Sequence, residues 1–528
     1  MLVIIVNIAI TTKVYGRLNA SSTIHIYGSK LIADKKESHI LANKIMQEKK
    51  ISKKFKGLIF ALGLLTGCSV GPSYVPPEVS TPELWKNESD KVCEHDTEAA
   101  FVYLDYWWEV FEDEKLNDLE SYAVKNNKDL YVAFQRIQEY RGLAGVAAAD
   151  LYPQVNLNPL YTSTGELIRN YFRQGSPLVP TAAPAFRAHE LYYFLPLTLS
   201  YEVDLWGKIR DQYDFAKYNW KAQKEDFDAV LLGLTANVAT AYYQIRALDE
   251  QVDLLQRIIA SRQKAYEINQ DRYEAKIIFY AEVALAGEEL DSALLDYHEA
   301  IRQRKNFENQ LAVLLGVPAS EFFLEEIPLK GLPPCIPAGI PSEVLLRRPD
   351  LAAAELERRA SHAMVKQAYA QFFPSLVLTT VGGFESPLFH YFLEYISRYW
   401  MLGAQVNQIV FDGFRLPSNL DVQKARFLEA DGEYQQLVLQ AFQEVENALV
   451  DIDFYQKEYE DASAAVQWAA KANQLYLDRY NLGVTYYIDV VNTERDLLNF
   501  QITLNTVHGY RYISTIQLIR ALGGGWSL

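Results

Sequence analysis

The feature that most constrains the fold is a 3,4 spacing of apolar residues that occurs twice, 207 positions apart. The first run covers residues 231–259 and the second covers residues 438–466. Four heptads in a row, repeated in register, predict coiled-coil helices, and no proline interrupts residues 208–315 or 418–522. A helix over 208–270 would be about 90 Å long at about 1.5 Å per residue. Such helices exceed what a globular core needs and indicate a tube or a stalk.

The duplication extends beyond the helices, so the two halves of the chain share one order of elements. Residues 129–153 align without gaps on residues 350–374 at a shift of 221, and residues 271–273 align on residues 478–480 at a shift of 207. Each half reads as a helix, two strands and two very long helices. The proline-rich stretch over 333–341 is the linker between the halves.

The strand segments alternate between apolar and polar residues, as strands with two different faces do. The alternating apolar positions are Leu197, Leu199, Tyr201 and Val203 in the first half, and Leu402, Ala404 and Val406 in the second. Aromatic residues cluster near the predicted strand ends, at Tyr192, Tyr193, Phe194, Tyr399 and Trp400. The pattern fits the wall of a membrane β-barrel with lipid outside and water inside, although a soluble, half-buried sheet has the same period.

Four strands per chain are too few to close a barrel, since the smallest membrane barrels have about eight. No apolar stretch reaches the about 20 residues of a spanning helix, and lipid leaves the edges of an open sheet unsatisfied. Other copies of the chain must therefore complete the sheet, and closed cyclic symmetry is the expected arrangement. Three copies would give a twelve-stranded barrel, with the long helices forming a second, helical barrel below it.

The segment over 46–67 reads as a bacterial lipoprotein signal peptide. Lysines between positions 49 and 56 precede a short apolar run, and Leu65-Thr66-Gly67-Cys68 follows at the cleavage position. This predicts a mature N-terminus at Cys68, where a diacylglycerol and an acyl chain together give stable anchoring. Ser69 indicates sorting to the outer membrane. Residues 1–45 have no role in such a signal, and we interpret them as a non-native extension or an unusually long basic region.

The sequence argues against three other classes of protein. A net charge of −16 disfavours binding to nucleic acid. The 8 histidines are scattered, and neither a His-Glu-x-x-His motif nor a P-loop occurs. We therefore expect that the protein is not an enzyme and that it binds no metal and no cofactor, apart from the covalent lipid on Cys68. A coiled-coil adhesin or stalk would explain the heptads but neither the duplicated strand pairs nor the lipoprotein signal.

Several motifs occur in a fixed order on this duplicated frame. They are Trp107-Trp108 with Phe111, Asp113 and Leu116; Asn127 with Asp129-Leu130; residues 201–210, Tyr-Glu-Val-Asp-Leu-Trp-Gly-Lys-Ile-Arg; residues 345–350, Leu-Leu-Arg-Arg-Pro-Asp; and residues 411–415, Phe-Asp-Gly-Phe-Arg. With them, the chain resembles the TolC-like outer-membrane channels over essentially all of 68–526. It resembles in particular the lipoprotein branch that serves resistance–nodulation–division pumps.

The resemblance implies a homotrimer that spans the outer membrane and extends into the periplasm. It also implies a periplasmic adaptor protein and an inner-membrane pump as partners, with drugs or toxic metabolites as cargo. An outer-membrane duct for type I protein secretion is the alternative, but those ducts usually lack a lipid signal. The implied division is a first repeat over 68–332, a linker over 333–342 and a second repeat over 343–528. Cys93 and Cys335 would share one equatorial layer, where they could form a disulfide or remain free thiols.

The resemblance places a periplasmic gate at the tips of the paired helices, near 274–281 and 481–488. Glu282 and Asp489, equivalent by the 207 shift, match acids that ring the constriction in the family, where such a ring would favour cations. Tyr273 and Tyr480 match positions that can latch the closed state through hydrogen bonds. Each of these four residues could instead be an ordinary solvated residue at a helix end.

The adaptor-docking tip of the family is matched by Leu482, Gly483, Val484 and Thr485. The first tip departs from that motif, because Lys276 and Ile277 stand where a glycine and a small aliphatic residue are usual. Thr485 replaces an arginine that latches the family's closed state. Asn492 replaces a further acid of the ring, which predicts a weaker affinity for divalent ions.

Overall fold

The computed structural model describes residues 69–78, 80–86, 106–168, 186–336, 341 and 347–524. Residues 1–45, the predicted signal peptide over 46–67, Cys68 and Cys93 lie outside the described residues. The elements are, in chain order, α1 (Glu114–Asn126), α2 (Lys128–Ala149), β1 (Gln154–Leu157), β2 (Leu160–Ile168), β3 (Phe186–Val203), α3 (Lys208–Glu274), α4 (Tyr280–Leu314), α5 (Pro349–Ala370), β4 (Ser375–Ser386), β5 (Arg398–Asn407), α6 (Arg415–Asn481) and α7 (Tyr487–Ala521). None of the described helices is both long and apolar enough to cross a membrane.

The long helices confirm the predicted duplication. Helices α3 and α6 each have 67 residues, and α4 and α7 each have 35. All four begin and end at positions that differ by 207 between the repeats. At about 1.5 Å per residue, α3 and α6 are each about 100 Å long. Helix α3 continues to Glu274, four residues beyond the predicted end, and no proline or glycine occurs between residues 270 and 274.

The strands form one antiparallel sheet in the order β1/β2, β3, β4, β5. The predicted first strand is divided into β1 and β2 at Asn158-Pro159, and both parts pair with β3. Together they fill one position in the sheet, which therefore has the four strand positions predicted from the sequence. A proline has no N–H to donate, which accounts for the interruption. Strand β3 continues to Phe186, so Tyr192, Tyr193 and Phe194 lie inside the strand rather than near its end.

The strand register separates the side chains into one apolar face and one polar face. Directly opposite pairs on the apolar face are Val155–Leu199, Leu157–Leu197, Val203–Leu376, Leu376–Val406 and Leu378–Ala404. Pairs on the polar face are Gln154–Ser200, Asn156–Thr198 and Ser200–Thr379. Because directly opposite residues point to the same side of a sheet, the predicted alternation extends across all four positions. Exceptions include Val377, Val381 and Met401 on the polar face and Thr380 on the apolar face. Apolar side chains on this face, such as Leu402, are exposed in the single chain.

The main core lies where the middle of the coiled coils meets α1 and α2. Trp107 donates from Nε1 to Thr235 Oγ1 at 3.1 Å, and both tryptophans of the Trp107-Trp108 motif are buried. Helix α7 approaches α3 closely here, since a Cβ added at Gly509 would lie 2.7 Å from Ala247 Cβ. Cys335 is disulfide-bonded.

The segment after α4 is fastened to this core by buried charges. The carboxylate of Asp249 accepts hydrogen bonds from Arg246 Nη1 at 3.1 Å, Arg304 Nε at 2.5 Å and the Ile327 backbone N–H at 3.1 Å. Arg304 also donates to the Leu324 carbonyl at 2.7 Å. The three charged side chains are at most 4% exposed, so the network fixes the path of the chain around residues 324–327.

The first described residues lie at the base of the sheet. The backbone N–H of Val70 donates to the Trp206 carbonyl at 3.2 Å, and a Cβ at Gly207 would lie 3.4 Å from Ser69 Cα. Gly207 also has a φ of +89°, in the left-handed region that glycine adopts without strain. Ser69 and Val70 therefore lie at the junction between β3 and α3.

Candidate gate at the helical tips

The two predicted tips have the same backbone structure. In the first, Lys276 N–H donates to the Tyr273 carbonyl and Ile277 N–H to the Arg272 carbonyl, both at 2.8 Å. In the second, Gly483 and Val484 make the equivalent bonds, both at 2.9 Å. Lys276 has a φ of +60° and Gly483 a φ of +74°. The first tip thus keeps the glycine-type helix end without the glycine, at a steric cost of about 1–2 kcal/mol for a residue with a Cβ.

Both tips expose apolar side chains. Ile277 and Phe279 are 71% and 83% exposed at the first tip, and Leu482, Val484 and Tyr486 are at least 65% exposed at the second. Phe279 and Tyr486 are equivalent by the 207 shift. Exposed apolar clusters on a polar background mark surfaces that bind a partner. The first tip therefore offers a similar surface despite its departure from the family motif.

The two predicted gate acids occupy equivalent positions in the first turns of α4 and α7. The Phe279 N–H donates to Glu282 Oε2 at 3.2 Å, and the hydroxyl of Thr485 donates to Asp489 Oδ2. A carboxylate in the first turn is stabilised by the free N–H groups and the helix dipole. Both acids are half-buried and hold the turn that precedes their helix, whatever further role they have in an assembled pore.

The two predicted latch tyrosines have different surroundings. Tyr480 accepts a hydrogen bond from Arg272 Nη1 at 3.4 Å, and its ring lies 5.4 Å from the ring of Tyr487. Tyr273 is 43% exposed and packs edge-on against Tyr280 at 5.5 Å. Tyr480 therefore joins the second repeat to the first within one chain. Arg272, its partner, was not predicted from the sequence.

A buried charged cluster above the tips also joins the two repeats. Arg262 Nη1 donates to the Glu289 carbonyl at 2.6 Å, and Arg262 Nη2 lies 2.9 Å from Glu289 Oε2, within ion-pair distance. Glu289 accepts a hydrogen bond from Arg495 Nη2 of α7. The side chains of Arg262 and Glu289 are 6% and 4% exposed. Position 469, equivalent to Arg262, is alanine, so the duplication did not predict this cluster.

Burial near this cluster shifts the ionisation of two neighbouring groups on α7. It raises the pKa of the Glu494 carboxyl, an effect opposed by Arg262 and reinforced by Glu289. It also raises the pKa of Tyr487 to about 12, and Glu494 reinforces this shift. Helix α7 therefore carries titratable groups in a poorly solvated layer just above the tips.

Comparisons with known proteins agree with this architecture. Residues 119–317 and 340–524 match the family model described as outer membrane efflux protein. The chain is 28% identical over 477 residues to the solvent efflux pump outer membrane protein SrpC of Pseudomonas putida, covering 90% of this chain and 99% of that relative. It is 29% identical over 486 residues to the pyoverdine export outer membrane protein OpmQ of Pseudomonas aeruginosa, covering 90% and 98%. The solved CmeC outer membrane channel of Campylobacter jejuni superposes with a TM-score of 0.76 at 27% identity, covering 87% and 95%.

The family match covers most of both repeats, and the superposition on the solved channel covers 87% of this chain. The chain therefore belongs to the outer membrane efflux protein family.

Proposed function

We propose that this chain is the outer-membrane exit duct of a tripartite efflux system, which passively conducts small molecules delivered by an inner-membrane pump. One observation carries the proposal: a sheet with one apolar and one polar face stands at one end of coiled coils about 100 Å long, which end in exposed apolar tips. Such a chain presents a lipid-facing surface and a periplasmic docking surface at opposite ends. The relatives are named for different cargo, a solvent and pyoverdine, which suits a duct whose selectivity lies in the pump.

The duct is a homotrimer in this proposal. Strands β1/β2 and β5 are the edges of the described sheet, and their free backbone groups need partners in lipid. Three copies supply twelve strand positions, enough to close the sheet around a common axis with the polar face inside. The same symmetry brings three copies of each tip together below.

A lipid on Cys68 anchors each chain at the membrane surface. Val70 and Ser69 lie against Trp206 and Gly207 at the base of the sheet. Ser69 therefore lies at the level where the apolar face begins, which suits acyl chains on Cys68 that enter the inner leaflet.

The tips form the gate and the docking site. Glu282 and Asp489 line the constriction, Tyr273 and Tyr480 latch its closed state, and residues 482–485 with the equivalent turn at 275–278 receive a periplasmic adaptor. Six carboxylates around one axis would favour cations and resist a wider opening.

Planar-bilayer recording of the mature, acylated trimer tests the duct and the gate together. We expect a small, cation-selective conductance that increases and loses selectivity in the double variant Glu282→Gln, Asp489→Asn. Glu299→Gln is the matched control, because Glu299 is an exposed acid on α4 paired only with its own helix. If the double variant leaves the conductance unchanged, the proposed duct stands, but Glu282 and Asp489 do not form its gate. Folded trimers that fail to enter the bilayer would contradict the proposed function.

A further inference from the structure

The loop between β4 and β5, residues 387–397, exposes large apolar side chains at the end of the sheet away from the long helices. Seven of its eleven residues are large and apolar or aromatic, namely Leu388, Phe389, Tyr391, Phe392, Leu393, Tyr395 and Ile396. Phe389 is 72% exposed, and Tyr395 and Ile396 are each 81% exposed. Glu394 is the only acidic residue of the loop. A contiguous exposed surface of this kind marks a place that another apolar phase covers.

The loop is held in one shape by its own hydrogen bonds. Its backbone makes two turns of 3₁₀-helix, Phe389–Tyr391 and Tyr395–Ser397. Ser397 Oγ donates to the Tyr391 carbonyl at 2.6 Å, and Ser386 Oγ donates to the Leu388 carbonyl at 2.8 Å. Because several backbone groups are satisfied inside the loop, it can approach a poorly hydrated environment at a lower cost than an open loop.

The loop lies on the apolar side of the sheet. Tyr193 of β3 is two and four residues from Leu195 and Leu197, so its side chain points to the apolar face. The rings of Phe389 and Phe392 lie 5.4 and 5.7 Å from the ring of Tyr193. The loop therefore extends the apolar face upward. A plug in the pore would have to pack against the polar face instead.

The height of the loop above the base of the sheet matches the thickness of an outer membrane. Val203, at the base, and Tyr193 are ten residues apart on β3, about 34 Å along the strand at about 3.4 Å per residue. At the tilt of about 40° typical of membrane strands, this is a height of about 26 Å, close to the apolar band of about 25 Å in such proteins. Tyr193 and the loop that packs on it therefore reach the far interface of the membrane.

Arg398 adds a positive charge beside the loop. It follows Ser397 directly, and its guanidinium lies 4.7 Å from the ring centre of Tyr395 and 5.9 Å from that of Phe384. An arginine held against aromatic rings can keep its charge at a membrane interface, where anionic phosphates are available. Lipid, rather than another protein, supplies both an apolar phase and phosphate at this height.

We propose that the β4–β5 loop is a membrane seat: its apolar side chains enter the outer leaflet at the boundary between headgroups and acyl chains, and Arg398 pairs with a headgroup phosphate. The inference rests on the proposed function, because it requires the apolar face of the sheet to contact lipid. It adds a lipid contact above the strands, which would resist vertical movement of the duct when the tips are loaded by a partner.

Depth-dependent fluorescence quenching tests the seat. A polarity-sensitive fluorophore is attached at Ile396→Cys in the full acylated trimer, reconstituted in vesicles that contain phospholipid brominated near the headgroup or near the chain end. The unsubstituted protein, taken through the same labelling, corrects for its native cysteines. Leu402→Cys, exposed on the apolar face of β5, is the control for lipid contact, and Val484→Cys at the helical tip is the control for water.

We expect the label at position 396 to lose as much fluorescence as the label at 402, but preferentially with the shallow quencher, while the label at 484 is unaffected. Loss at 402 without loss at 396 would overturn the membrane seat and leave the duct intact. No loss at either position, from trimers that have entered the vesicles, would contradict the proposed function itself. In the same trimers, Arg398→Gln should reduce shallow quenching at 396 in vesicles with anionic lipid. An unchanged signal would remove the phosphate contact from the proposal.

Discussion

Replacing Asp249 by alanine should release the chain segment around residues 324–327 from the main core. The substitution removes three hydrogen bonds at once, from Arg246, Arg304 and the Ile327 backbone. It also leaves two guanidinium groups that are 4% exposed without their shared carboxylate. Breaking a buried ion pair from one side costs about 3–5 kcal/mol, mainly because a charge remains buried without a counter-ion.

The lower end of that range applies here, because part of the compensation survives. Glu308 Oε2 lies 3.4 Å from Arg304 Nη1, and the carbonyls of Glu325 and Leu324 still accept from Arg246 and Arg304 at 2.6 and 2.7 Å. We therefore expect a local destabilisation of about 3 kcal/mol, which is about a 10²-fold faster opening at about 1.4 kcal/mol per tenfold.

Hydrogen–deuterium exchange of peptides that cover residues 318–330 measures this opening in the intact protein. Glu299→Gln is the matched control, since Arg302 also binds Glu299 through two nitrogens, at 2.8 and 2.5 Å, but both side chains are about half exposed. Exposed pairs contribute little, so the control should exchange like the unsubstituted protein. An acceleration below about tenfold in Asp249→Ala would refute the reasoning that burial, rather than pairing, sets the cost.

Three further predictions concern separate parts of the fold. Burial raises the pKa of the Glu120 carboxyl well above its usual range, so the folded state favours the protonated form, and stability is lost as pH rises from the unfolded pKa of about 4.3 through the folded value. The melting temperature of Glu120→Gln, relative to the unsubstituted protein, should therefore increase with pH, and a gap that is constant from acid to neutral pH would contradict this. Gly509→Ala should reduce the free energy of unfolding by about 1–3 kcal/mol through overpacking, and so lower the melting temperature. Adding Ala247→Gly should restore the melting temperature if the 2.7 Å approach between the two Cβ positions is the cause. Lys276→Gly should slow amide exchange at the first tip a few-fold, whereas Gly483→Ala should accelerate it at the second, because only glycine adopts a positive φ without a steric cost.

The number and order of helices and strands could be predicted from the sequence because they depend on the periodic spacing of apolar residues. The 3,4 spacing and the 207 shift fixed the number, order and register of the long helices, and heptad positions such as Val238 and Val445 are fully buried. The alternation around Leu199 predicted the apolar face, and the register of β3 with its neighbours confirms it. The division of the first strand at Pro159 was not predicted, although the missing N–H of a proline accounts for it.

The contacts between the repeats could not be predicted from the sequence, because they join residues about 200 positions apart and follow no repeating pattern. Arg272 with Tyr480 and Arg495 with Glu289 are such pairs. The first tip shows a different limit. Its motif is lost at Lys276, yet its backbone is retained, because the hydrogen bonds at the end of the helix are made by N–H and C=O groups that every residue except proline carries.

The departures from the duplication point to how the two repeats are coupled near the tips. Contacts between the two coiled coils can come from residues that differ between the repeats. Arg262 is such a residue, since position 469 is alanine, and it holds Glu289 where Arg495 of α7 can reach it. Movement of the second coiled coil away from the first must therefore break the hydrogen bond from Arg495, which is half exposed, to a buried carboxylate that Arg262 still pairs with. We propose that this contact stabilises the candidate gate from within one chain, above the tips, in a protein that has Thr485 where the family resemblance implies an arginine latch.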